Sequence, residues 1–134
     1  MKVFVDSNVL VAAFGTRGLC ADVLLYILAD RRLVTGEVVL TELRRALSRR
    51  LKVPPPTVEA ILALLREHEV VTKPRAPSDL PIRDPDDPWI LASAVDAKAD
   101  VLITGDADLL EIAASAPLPI LTPRAFWDLV RTRR

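Results

Sequence analysis

The chain has 134 residues, enough for one domain with a real core, and its 51% hydrophobic and 27% charged content excludes a disordered class. Its 18 basic and 18 acidic residues cancel, so net charge offers no pull on nucleic acid, and any such contact must come from a local patch. A single cysteine excludes an intramolecular disulfide, and no stretch approaches the roughly 20 apolar residues of a membrane span.

KVFVD (Lys2 to Asp6) is a β-branched and aromatic run that reads as a buried strand. Asp6 cuts this apolar start too short for a secretory signal, so a cytoplasmic protein with no membrane contact is expected. Ser7-Asn8 supplies capping chemistry for a helix through Val9 to Phe14, stopped by Gly15 and Gly18. Leu19 to Arg32 carries Leu24, Ile27 and Leu28 at helical spacing, and Cys20 before this apolar run reads as a buried structural thiol. RRLVTG gives a very short strand. A helix follows from Glu37 to about Lys52, with Leu40, Leu43, Leu47 and Leu51 on one stripe.

Pro54-Pro55-Pro56 ends that helix, and the last proline suits the first turn of the next, from Thr57 to about Glu69, with Ile61, Leu64 and Leu65 inward. Val70 to Thr72 is a candidate strand, and Pro74 to Pro81 is a loop too short to divide the chain. A helix from about Pro85 to Lys98, the strand DVLITG (Asp100 to Gly105) and a short helix from Asp106 to Ala114 follow. Pro119 to Leu121 is a last short strand and Arg124 to Arg131 a closing helix. Strands that are wholly apolar and alternate with helices predict an α/β fold, a three-layer α/β/α sandwich with a mainly parallel central sheet in a single domain over residues 1–134. In such sheets the functional crevice lies outside the carboxyl ends of the strands.

Asp6 closes the first strand and Asp106 directly follows the VLITG strand, so both carboxylates are expected on one edge of the sheet. Either alone is as well explained as a helix cap. Asp84, Asp86 and Asp87 sit in RDPDDPW, where two Asp-Pro pairs carry the signature of a helix start. Asp87 also precedes Ile90, Leu91 and Ala94 on the core stripe, so its carboxylate faces inward and needs a partner or a cation. Glu42 lies off the leucine stripe of its helix and on that ground alone reads as a solvated charge near Arg45 and Arg49. Oxygen ligands without a His or Cys cluster suit Mg²⁺ or Mn²⁺ and not zinc.

Four segments together, FVDSNVLVAAF, LTELRRAL, RDPDDPWILASAV and DVLITGDADLL, resemble PIN domains over nearly the whole chain. The resemblance is to the small prokaryotic, VapC-like members identified as toxin components of toxin–antitoxin modules, and ILTPRAFWDL resembles their C-terminal end. It implies a metal-dependent endoribonuclease with Asp6, Glu42, Asp87 and Asp106 as catalytic and metal-binding acids. Asp84 is a second candidate for the third acid, and Asn8, Thr104 and Asp108 are supporting groups. It further implies an RNA substrate, a cognate antitoxin and a homodimer.

Arg44, Arg45, Arg49, Arg50 and Lys52 form a basic cluster on the Glu42 helix, balanced between a solvated face and phosphate contact, with Arg45 and Arg49 the candidate RNA contacts. Arg131, Arg133 and Arg134 read as a frayed, solvated end. His68 reads as surface, and Trp89 and Trp127 as core or interface residues instead of base-stacking platforms. Three readings stand: a Mg²⁺ or Mn²⁺ ribonuclease, a non-catalytic PIN-like module that binds RNA or protein, and a haloacid-dehalogenase-type phosphotransferase. The complete acid set favours the first. Asn8, where the last would need a second Asp, disfavours that one.

Overall fold

Val3, Phe4 and Val5 are sealed from solvent because their strand, β1 (Lys2–Val5), lies in the middle of the sheet and is covered on both faces. The structure is a computed structural model and describes residues 1–132; Arg133 and Arg134 of the terminal basic cluster lie outside the described residues. Beside β1 run β2 (Arg32–Gly36) and β4 (Val101–Ile103), with β3 (Glu69–Val71) and β5 (Ile120–Leu121) at the edges, in the order β3-β2-β1-β4-β5. All four pairings are parallel. Each crossover is therefore made by helices, and the result is the expected three-layer α/β/α sandwich.

The helices are α1 (Ser7–Gly15), α2 (Leu19–Asp30), α3 (Glu37–Arg45), α4 (Pro55–Arg66), α5 (Asp87–Asp96), α6 (Ala107–Glu111) and α7 (Pro123–Thr132). Their mutual packing builds one core around Phe4, Leu10, Ile27, Leu43, Ile90, Leu102 and Phe126, all fully buried. Among the described residues no single helix is long and apolar enough to cross a membrane.

Several boundaries move from their expected places, each for a local reason. Capping of α1 comes from Asp6 and not from Ser7-Asn8, because the Asp6 carboxylate accepts from the Ser7 backbone N–H at 2.7 Å. The Glu42 helix loses its α-helical register after Arg45 and continues as a π-helical turn, Ala46–Arg50. That turn keeps Leu47 buried but swings Leu51 out to 49% exposure, so the leucine stripe ends one residue early. In α4 it is Val58, Leu62 and Leu65 that are buried, while Leu64 is exposed and Ile61 half-buried, because Pro55 and Pro56 both enter the first turn. The first Asp-Pro pair does not start α5. Asp84 instead closes a turn by accepting from the Asp86 N–H at 2.8 Å, and α5 begins at Asp87. Cys20 is half-buried, not buried, and packs against the rim of the core.

One glycine matters for the site. A Cβ on Gly36, at the end of β2, would stand 3.3 Å from Ser93 Cβ and 3.3 Å from Val71 Cγ2. The missing side chain lets α5 lie close to the end of β2 without displacing Ser93 or Val71, and α5 carries Asp87 at its start.

Candidate metal centre

The carboxyl ends of β1, β2 and β4 open at one edge of the sheet, and the residues directly after them enter helices there. Asp6 leaves β1 with its backbone N–H bonded to the Ile103 carbonyl of β4 at 3.0 Å, which ties the two acid-bearing strand ends together. The expectation that Asp6 and Asp106 share an edge on neighbouring strands is met. Glu42 comes from α3, after β2, and Asp84, Asp86 and Asp87 from the segment leading into α5. These acids, Asp6 and Asp106 line one cleft of about 420 Å³.

Asp6 is nearly fully buried at 2% exposure, and its two oxygens are held differently. One accepts from the Ser7 N–H, and the other accepts from the Thr104 hydroxyl at 2.8 Å and, more weakly, from the Asn8 amide at 3.4 Å. Asn8 in turn accepts from the Gly105 N–H at 3.1 Å, and Thr104 accepts from the Asp106 N–H at 3.0 Å. Asn8 and Thr104 therefore stitch the β1 and β4 ends into one rigid frame around Asp6. Burial pushes the Asp6 carboxyl up, the Thr104 and Ser7 bonds pull it back, and the Asp106 charge pushes it up again.

Glu42 is half-buried and accepts from the Ser7 hydroxyl at 2.7 Å, which replaces the expectation of a solvated charge. Burial raises its carboxyl, the Ser7 bond opposes this, and the charges of Asp6, Asp86 and Asp84 add to the rise. Ser7 thus bridges two acids from different elements. Sequence reasoning took Ser7 for a capping residue and missed this, because a hydroxyl after a strand is ordinary capping chemistry. Asp86 and Arg50, which also line the cleft, were likewise not singled out as site residues.

Asp87 is the most strained of the acids. It is 5% exposed, and its Oδ2 is buried with no hydrogen-bond donor. Burial first, then the neighbouring Asp106 carboxylate and the charges of Asp84 and Asp6, push it up to about 8. Ionised, it adds a further negative charge beside Asp106, Asp84 and Asp6. Asp84, Asp87 and Asp108 each bring a carboxylate oxygen within 4.8 Å of the other two. The third-acid candidates Asp84 and Asp87 are therefore close together, with the Asp108 carboxylate beside them. An orphaned buried carboxylate oxygen within a set of hard oxygen donors fits a divalent cation of the Mg²⁺ or Mn²⁺ class.

The same cleft is also lined by Arg45, Arg49 and Arg50, all exposed. The basic cluster divides here, for Arg44 turns away and pairs with Glu59 of α4. His68 is half-buried in the turn into β3. Trp127 packs edge-on to Tyr26 at 6.1 Å, as expected of a core or interface residue. Trp89 is likewise half-buried and lines a second cleft, with Lys73 over its ring.

Comparison with known proteins places this geometry. Residues 2–108 match the family model described as PIN domain. The fold is similar to VapBC2 from Rickettsia felis bound to a DNA fragment from its promoter, with a TM-score of 0.63, 15% identity and coverage of 91% of this chain and 98% of that one. It is similar to VapBC-1 from nontypeable Haemophilus influenzae, with a TM-score of 0.61 and 19% identity over 92% of this chain and 99% of that one. It is also similar to FitAB bound to an IR36 DNA fragment, with a TM-score of 0.64 and 16% identity over 90% of this chain and 94% of that one. No curated protein sequence matches the chain.

Proposed function

The chain belongs to the PIN-domain family, and on that premise we propose that it is a divalent-metal-dependent endoribonuclease, the toxin component of a toxin–antitoxin module. The observation that carries this reading is Asp87. A buried carboxylate oxygen without a donor, surrounded by other carboxylates, is costly unless a cation neutralises the group. In this reading Asp6, Glu42, Asp87 and Asp106 hold Mg²⁺ or Mn²⁺ with Asp84 and Asp108 beside them, on a single PIN domain over residues 1–134. When bound, the ion supplies a more acidic water and stabilises charge on a phosphodiester under in-line attack.

The chain's own residues do the rest. Thr104 and the Ser7 N–H fix both oxygens of Asp6, so its carboxylate is presented in one orientation. Ser7 holds Glu42 in the same way, and Asn8 keeps the β4 end in register through Gly105. Arg45 and Arg49 line the same cleft as the acids and would provide the positive charge that a phosphate backbone needs.

The motifs shared with VapC-like toxins, and a fold similar to VapBC and FitAB assemblies, support an antitoxin partner, a homodimer and a cytoplasmic setting. The test is cleavage of single-stranded RNA in Mn²⁺ and in chelator, by wild type and by Asp87→Asn. Cleavage by wild type only, and only with metal, is expected. RNA bound but never cut would leave a non-catalytic binding module, and cleavage that persists in chelator would remove the metal from the reaction.

A further inference from the structure

Next to the acid cleft lies a second one of about 260 Å³, and the two share Glu42, Arg45 and Asp86 as a common wall. Its distinctive lining is Trp89 from the first turn of α5 and Lys73 from the loop after β3. The Lys73 ammonium stands 4.6 Å from the centre of the Trp89 ring, and Lys73 forms no ion pair among the described residues. Glu37, the other acid on this wall, is already engaged by Arg66 through two bonds of 2.6 and 3.0 Å. An indole held half-buried at the rim of a cleft, with an exposed lysine as its cover, is not core packing.

We propose that this second cleft is a nucleobase subsite, in which Trp89 stacks one base of a single-stranded RNA next to the phosphodiester held in the acid cleft. The inference rests on the nuclease reading and names how its substrate is gripped. Three features argue for a base. First, the ring face is flat, apolar and already shown to accept a π-bound partner. Second, the ligand would displace a weak contact: a lysine over an exposed ring contributes roughly two- to five-fold in binding, whereas a base on an aromatic ring contributes roughly five- to 150-fold. Third, the displaced ammonium does not lose its role. Freed from the ring, Lys73 remains in the second cleft, whose lining also includes Arg45 of the shared wall, and there it can meet the phosphates of a strand running from one cleft to the other. A base alone would lack the charge to recruit Lys73, and an isolated phosphate would leave the indole unused.

The test measures binding of a fluorescently labelled single-stranded RNA hexamer by anisotropy, in chelator and at low salt. Wild type is compared with Trp89→Ala, Trp89→Phe and Lys73→Gln, each checked by thermal melting. Trp89→Ala is expected to weaken binding by about five- to 100-fold and Trp89→Phe by much less. A hexamer with one abasic position should cost wild type the same factor at one register, and should cost Trp89→Ala nothing further there. Lys73→Gln should flatten the dependence of log K on log salt by about 0.7. If Trp89→Ala binds as well as wild type, or if abasic and Trp89 losses simply add, the stacking subsite is wrong while the nuclease reading stands. If wild type binds no RNA with or without Mn²⁺, the nuclease reading fails and the subsite with it. Should Trp89→Ala fail to fold, the abasic series on wild type and Trp89→Phe decides the matter alone.

Discussion

An unfolded aspartate titrates near pH 4, whereas Asp87 is pushed up to about 8 by burial and by the Asp106 charge beside it. Between those two values the folded protein holds a proton that the unfolded chain has released, so stability falls as pH rises through this window. The metal-free protein should therefore lose melting temperature steadily from about pH 5 to pH 9. Asp87→Asn removes the charge but keeps the shape. It should melt higher than wild type at the alkaline end and nearly equal to it at the acid end. Saturating Mn²⁺ should reverse the order, raising wild type by about 2.7 kcal/mol at one hundred times Kd and the variant much less. Scanning calorimetry with and without Mn²⁺ reads both effects; a variant that gains as much from the ion as wild type would take Asp87 out of the ligand set. Thr104 is tested separately, since it is fully buried and donates to Asp6. Thr104→Val should cost about 1–3 kcal/mol in urea denaturation and Thr104→Ser far less, because only the first leaves a buried carboxylate oxygen short of its main donor.

At the scale of elements, α3 with its π turn and the start of α5 supply two walls of the cleft. Arg45 and Arg49 project from the first, and replacing both by Ala should lower the slope of log K against log salt for RNA by about 1.4. Arg44→Ala on the same helix is the control, since its guanidinium is turned to Glu59, and the slope should not change. The position of α5 depends on Gly36. A valine there meets Ser93 and Val71, so Gly36→Val should destabilise the fold by about 1–3 kcal/mol, measured by urea titration, and lower metal affinity by shifting Asp87. How far these elements were legible in the sequence follows from what fixes them. The buried strands and the strand-end acids were readable, because an apolar run followed by Asp says both strand and edge. The polar contact of Glu42 could not be read from its own helix, since nothing in a helical stripe says which neighbouring element will face the polar side. The π turn after Arg45 has no sequence mark at all, as its extra residue is a tertiary adjustment that keeps Leu47 inward at the expense of Leu51. The site residues were legible mainly through the four-segment resemblance; geometry added Ser7 and brought Asp108 forward.

For the molecule as a whole, a small chain that leaves Leu25 at 65% exposure on α2 and Val95 at 44% on α5 carries apolar surface suited to a second copy or a partner. A homodimer at tens of micromolar protein is expected by light scattering, an order-of-magnitude working range for such contacts, and a monomer throughout would count against it. The strand order has a different kind of consequence. β1 is made first and sits in the centre, but one of its two neighbours, β4, is Val101–Ile103, and the hydroxyl that holds Asp6 is ninety-eight positions further along at Thr104. Until that stretch has left the ribosome, β1 has an open flank and Asp6 lacks its main support, while Asp106 has not yet been added. A growing chain shorter than this therefore carries Asp6, Glu42 and Asp87 without a cleft to hold them. On the nuclease reading, a chain shorter than this would lack the arrangement of acids on which cleavage depends, so activity would arise only once the sheet is closed.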